Sequence, residues 1–190
     1  GAVEIGKYIY QEADYFGVAT IEEAVELREA KIDKPVLVLG YTAPSLYGLN
    51  LQYDVEQTIY SMETAEKMSK EAVRAGKTAK IHIALDTGMT RIGITPDENG
   101  LSLVKEIRSL PGLEITGLFS HFSCADMKDK SYTEEQMKRY DYFVSLLEEN
   151  CIDIPVKHLC NSAGIMEFDH HRFDMVRAGI ILYGLYPSEE

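Results

Sequence analysis

Short apolar runs of strand length alternate along the chain with segments that carry explicit helix-start signals, and this alternation limits the fold more than any other feature. Strands are predicted near residues 15–19, 36–39, 56–60, 81–85, 114–120, 156–159 and 175–182. The third is the weakest, because Val55-Glu56-Gln57-Thr58-Ile59-Tyr60 alternates rather than running apolar throughout. Between them, Thr20-Ile21-Glu22-Glu23 reads as a capping box and Thr95 with Pro96 and Glu98 as another, with proline at the tolerated first helical position. Thr133-Glu134-Glu135-Gln136 repeats the signal ahead of Met137, Tyr140, Phe143 and Leu147, whose spacing would turn one face towards a sheet. Gly76 and Asn150 stand where helices should end.

Regular strand–helix alternation implies a parallel sheet with helices outside it. Seven strands at roughly one per 27 residues approach a (β/α)₈ (TIM) barrel, which uses eight strands in about 250 residues. A doubly wound sheet is the alternative, but no G-x-G-x-x-G phosphate loop follows the first strand. Gly1 to Ile9 already reads as the opening of a helix, with Val3, Ile5 and Ile9 on or near one face. The expectation is therefore an α/β chain forming an incomplete TIM barrel over residues 1–190, supplying strands 2 to 8 with the first strand absent.

A net charge of −12 argues against sequence-independent nucleic-acid binding, which needs clustered Lys and Arg. The acidic residues fall mostly on predicted helices, as at Glu22, Glu23, Glu134 and Glu135, where they make a solvated face. Three cysteines, Cys124, Cys151 and Cys160, fit neither a disulfide framework nor a zinc site, so reduced thiols in a cytoplasmic protein are expected. His158 and Cys160 share a strand face without a second pair to complete a metal site, and no metal is expected. His170-His171 reads as a surface loop.

Parallel barrels bind ligands at the carboxyl ends of their strands, often with a phosphate near the last two. The fourth predicted strand runs into Asp86-Thr87-Gly88-Met89-Thr90-Arg91, where a glycine turn delivers one arginine. Its five-donor planar fork suits a fixed anionic oxygen, although an exposed loop arginine is the plainer reading. The fifth ends at Ser120-His121-Phe122-Ser123, where His121 is either a hydrogen-bonded structural residue or a catalytic one. The sixth ends at Asn161-Ser162-Ala163-Gly164. The Ser162 hydroxyl and the bare amide of Gly179 could together cradle a phosphate, or simply form polar turns. Arg177 lies inside an apolar stretch and must have a partner, either a salt bridge or a ligand.

Taken in order, several motifs resemble those of bacterial alanine racemases. They are Phe16-Gly17-Val18-Ala19-Thr20, Leu37-Val38-Leu39-Gly40, Asp86-Thr87-Gly88-Met89-x-Arg91-x-Gly93, His121-Phe122, Asn161-Ser162-Ala163, and Val176-Arg177-x-Gly179-Ile180-x-Leu182-Tyr183-Gly184. The resemblance implies a pyridoxal 5'-phosphate (PLP) enzyme, an isomerase with an N-terminal barrel and a C-terminal β domain. It acts as a homodimer on a small amino-acid substrate and interconverts L- and D-alanine to supply the cell wall. A serine racemase domain of a membrane-anchored protein, and a PLP-binding carrier of the same barrel type, are the alternatives.

By the same resemblance, Arg91 hydrogen-bonds the cofactor's phenolic oxygen and, with Met89, lies at the substrate carboxylate. Ser162, Gly179 and Ile180 hold the phosphate, and Arg177 faces the pyridine nitrogen beside His121 and Asn161. An arginine there donates a hydrogen bond without yielding its proton, which makes a weaker electron sink and favours reprotonation at Cα. The resemblance puts the two proton-exchanging groups, a lysine upstream of Gly1 and a tyrosine of the C-terminal domain, outside this chain, so the segment alone is expected to be inactive. Ala84 departs from the family, where many members carry a carbamylated lysine that steadies the arginine.

Overall fold

The computed structural model describes residues 1–188 and orders six strands as β1-β2-β3-β4-β5-β6 in one sheet. They are β1 (Phe16–Val18), β2 (Val36–Val38), β3 (Glu56–Ile59), β4 (Ala79–Ala84), β5 (Leu113–Phe119) and β6 (Val156–His158). The registered pairs β1–β2, β2–β3 and β5–β6 are parallel. The Ala79 amide bonds the Gly112 carbonyl and the Leu85 amide that of Phe119, so partner numbers rise together and β4–β5 is parallel as well. An order that never reverses has no topological switch point, which distinguishes it from a doubly wound sheet.

Helices fill the connections: α1 (Ala2–Tyr8), α2 (Ile21–Glu29), α3 (Tyr47–Gln52), α4 (Met62–Ala75), α5 (Glu98–Ser109), α6 (Ser131–Glu149) and α7 (Ser162–Glu167), with 3₁₀ turns at Pro44–Leu46 and Ile180–Tyr183. The Thr20 capping box forms with both reciprocal bonds, and Gly76 ends α4 in the left-handed conformation that glycine adopts without strain. Asn150 closes α6.

Two other helix starts differ from expectation. Asp97, not Thr95, caps α5: its carboxylate accepts from the Gly100 amide at 2.8 Å. A charged acceptor holds an N-terminal amide more strongly than a hydroxyl does. Helix α6 begins two residues before Thr133, with Asp129 accepting from the Ser131 amide at 2.9 Å. Thr133 and Gln136 are fully buried inside it.

The seventh predicted strand is not a strand. Met175 makes one isolated parallel bridge to His158, the Asp174 and Arg177 amides bond the carbonyls of Lys157 and Cys160, and from Ile180 the chain turns into a 3₁₀ helix. Val176, Ile180 and Leu182, the apolar residues behind the prediction, are exposed. Conversely β3, the weakest prediction, is buried along its whole length. Its polar side chains are paired there: Thr58 Oγ1 donates to the Val38 carbonyl at 2.7 Å, and Gln57 Nε2 to that of Gly40 at 3.0 Å.

The chain divides into two compact units. The first joins Gly1–His82 with Glu106–Ile115, and its core includes Phe16, Ile21, Leu27, Ile32, Val36 and Val38. The second joins Ile83–Lys105 with the residues from Thr116 onward, around Leu118, Phe122, Tyr140, Phe143 and Leu159. Among the described residues no helix is long and apolar enough to cross a membrane, and the three cysteines are free thiols.

Candidate functional site

Every residue singled out by the strand-end reading falls in the second unit. The chain leaves β4 at Ala84, passes through residues 85–93 and returns, so that Leu85 and Ile94 form a bridge. Asp86 organises the turn: its Oδ1 accepts from the Gly88 amide at 3.0 Å and the Thr90 amide at 2.9 Å. Gly88 and Gly93 have φ of 135° and 138°, and a Cβ on Gly93 would sit 2.3 Å from the Asp86 nitrogen, so the turn closes only with glycine there. Arg91 emerges from it exposed, with Met89 half-buried beside it. Ala84 is buried, and its methyl offers no hydrogen bond to this turn.

Arg177 follows the bridge to β6 and points inwards. One terminal nitrogen, Nη1, lies 2.7 Å from His158 Nδ1. The other, Nη2, donates to the carbonyls of Ser120 at 2.7 Å and Leu159 at 3.0 Å and approaches His121 Nδ1 at 3.4 Å. Its guanidinium carbon stands 5.4 Å from the centre of the Phe119 ring, against which His158 stacks. Guanidinium has only donors, so His158 Nδ1 accepts from Nη1 and that imidazole is held as the Nε2–H tautomer, while the two Nη2 protons serve the carbonyls. Among the described residues its partners are carbonyls and imidazoles, not a carboxylate, so Arg177 is held without a counter-charge.

Burial, with the like charge of Arg91 as a smaller cause, pushes the Arg177 guanidinium down to about 10, still protonated at neutral pH. Burial also pushes His121 down to about 4, reinforced by the positive charges of Arg177 and Arg91. His121 is therefore neutral in the ordinary pH range. That Arg91 acts on both groups puts its charge near theirs.

Ser162 opens α7 and is buried. Its Oγ accepts from the Gly179 amide at 3.0 Å and the Ile181 amide at 3.5 Å, which brings the starts of α7 and the following 3₁₀ turn together. Asn161 caps α7, accepting from the Gly164 amide at 3.0 Å, and its Nδ2 reaches the Phe122 carbonyl at 3.4 Å. Gly164 serves packing: a Cβ there would come within 3.0 Å of the Phe122 ring. Gly179 does face Ser162 Oγ, and Ile180 is exposed beside it.

Several contributors were not singled out from sequence. His158 was weighed only as a metal ligand, yet its Nδ1 takes the shortest side-chain bond of Arg177, a pairing across nineteen residues that the sequence did not signal. Ser120 uses its carbonyl for Arg177 and its hydroxyl for Thr87, at 2.8 Å. In the first unit, Tyr15, Glu56 and His82 form a separate cluster. His82 Nε2 lies 2.9 Å from Glu56 Oε2 and 3.3 Å from the Tyr15 hydroxyl, and burial and then the bond to Glu56 raise the Tyr15 phenol.

Unbroken strand order with helices in the connections defines a parallel α/β fold of barrel type, with a donor-only cation and the paired starts of α7 and the last 3₁₀ turn in its second unit. The chain belongs to the alanine racemase family, matching "Alanine racemase, N-terminal domain" over residues 1–187. It is 49% identical over 191 residues to an alanine racemase of Clostridium perfringens, covering all of this chain and 50% of that protein. An alanine racemase of Clostridium tetani is 44% identical, with all of this chain and 49% of that protein covered. The structure matches that of an alanine racemase of Clostridium difficile 630, described as a complex with cycloserine, with a TM-score of 0.97 and 41% identity over 100% of this chain and 52% of that one. That match establishes the fold as an incomplete TIM barrel. The chain spans about half the length of the relatives it matches.

Proposed function

We propose that residues 1–190 are the PLP-binding barrel portion of an alanine racemase that interconverts L- and D-alanine. The observation that carries this reading is Arg177, an inward-facing cation held by neutral acceptors beside His121, in the same unit as the Ser162–Gly179 pair. The residues fit the cofactor. The Ser162 hydroxyl and the amides of Gly179 and Ile181 already converge, as receiving a phosphate oxygen requires.

When bound, PLP would supply an electron sink that acidifies the substrate Cα–H. Arg177 would donate a hydrogen bond to the pyridine nitrogen and, at about 10, keep its proton there. Neutral His121 would orient that guanidinium without adding a further charge. Arg91, exposed on its turn with Met89, would neutralise the substrate carboxylate and bond the phenolic oxygen. Asn161 would keep α7 in register beneath the phosphate.

Activity belongs to the complete protein, which we propose to be a cytoplasmic homodimer that supplies D-alanine for the cell wall. The test is racemisation by the purified complete protein, with L-alanine and L-serine assayed side by side by loss of optical rotation. Turnover that needs PLP and favours alanine is expected. Turnover of serine alone would overturn the substrate, and PLP binding without racemisation of either would overturn the activity.

A further inference from the structure

We propose that one face of α6, made by Tyr132, Gln136 and Arg139, positions the turn that carries Arg91. The inference rests on the proposed role of Arg91 in substrate binding and adds the residues that hold it in place. Tyr132, Gln136 and Arg139 stand four and three residues apart, a spacing that stacks side chains along one helix face. All three reach residues 87–88. The Tyr132 hydroxyl donates to the Gly88 carbonyl at 2.9 Å, and Arg139 Nη1 to the Thr87 carbonyl at 3.0 Å. Gly88 lies so close beneath the helix that a Cβ would come within 2.5 Å of the Tyr132 hydroxyl and 3.2 Å of Arg139 Nη1.

Gln136 is the centre of the arrangement. Fully buried, it uses both ends of its amide: Oε1 accepts from the Ser123 amide at 3.0 Å and hydroxyl at 3.1 Å. Nε2 donates to the His121 carbonyl at 3.1 Å and to Thr87 Oγ1 at 3.3 Å. The Thr87 hydroxyl then donates to Ser120 Oγ at 2.8 Å, which donates to the Leu85 carbonyl at 2.8 Å. Each hydroxyl has one proton, so the chain from Gln136 through Thr87 and Ser120 to Leu85 has one direction. It ties the turn after β4 to the segment after β5. Arg91 itself is exposed, so its direction is set by the backbone it leaves, and that backbone is held from α6. A buried side chain with four bonds across two strand ends is a costly way to fill a helix, unless their relative placement matters.

The test uses the complete protein. Gln136→Leu keeps the volume and removes all four bonds, so kcat/KM for alanine should fall about ten- to a hundredfold, as for displaced substrate-binding groups. Amide exchange over residues 86–94 should rise. In an Arg91→Ala background the same substitution should cost nothing further, because its effect runs through Arg91. Equal fold-losses in both backgrounds, or unchanged exchange over 86–94, would overturn the proposal. Should Gln136→Leu fail to fold, Tyr132→Phe and Arg139→Met each remove one bond to the turn (Arg139→Met also its pair with Glu135) and are read by the same two measurements, with losses of about threefold. The exchange measurement decides the point even if no amino acid is racemised, in which case the proposed activity fails separately.

Discussion

The two units each bury a polar cluster, and they solve the problem of burial in opposite ways. In the first, His82 Nε2 meets the carboxylate of Glu56 beside Tyr15, so the buried polar groups are paired side chain to side chain. In the second, Arg177 gives its protons to carbonyls and the His158 imidazole, and among the described residues no carboxylate pairs with it. An internally compensated cluster has little left to offer a ligand. A cation held by neutral acceptors retains a field that an electron-rich ring nitrogen or an anion can use. The contrast separates polar burial that serves stability from polar burial that serves binding.

The sharpest way to break that contrast is to exchange the consequences. Arg177→Met in the complete protein should lower kcat/KM by about a hundredfold or more, since charge-assisted bonds are lost at the ligand. PLP retention, followed by absorbance after dialysis, should fall with it. Glu56→Gln should do the reverse, lowering unfolding free energy by about 2 kcal/mol in urea titrations while PLP retention stays as in the parent. If Glu56→Gln released the cofactor and spared stability, the two clusters would not differ as described.

A pH series sharpens the comparison further. His121 has a folded-state value of about 4 against an ordinary 6.5, so the unfolded chain takes up its proton first as pH falls. Its contribution to stability is therefore complete above about 6.5 and is lost progressively towards pH 4. Thermal unfolding between pH 7 and pH 4 should show this decline, and His121→Asn should flatten it. The smallest effects are expected at the helix caps. Thr20→Ala in the first unit and Asp97→Ala in the second should each cost about 1 kcal/mol with kcat unchanged, whereas Thr95→Ala should cost almost nothing.

Much of the fold was legible because strands β1 to β6 are short apolar or half-apolar runs between capped helices. The failure at residues 175–182 has a physical cause. An apolar run reports a preference for burial, but a strand also needs a ladder, and here the ladder with β6 shrinks to one bridge. Thr133 misled for a related reason: a hydroxyl that can cap is equally able to lie buried in the helix, and α6 starts after Lys130, with Asp129 turning the chain just before it. Of the candidate site, Arg91, His121 and Ser162 were singled out from strand ends, and Arg177 and Gly179 from a predicted strand that did not form. Gln136 was not, since a glutamine within Thr-Glu-Glu-Gln-Met-Lys looks like solvated surface until the neighbouring turns are brought against it. The part His158 plays was not seen either, because spacing alone does not reveal which donor its ring nitrogen will meet.

Ser120 makes the fates of two arginines far apart in the sequence inseparable. Its carbonyl grips Arg177 while its hydroxyl joins the relay beneath the Arg91 turn, so a shift of this one residue would detune both grips together. Adaptation of this segment to a new ligand must therefore proceed around Ser120, through side chains that leave it in place, with that residue acting as a fixed pivot.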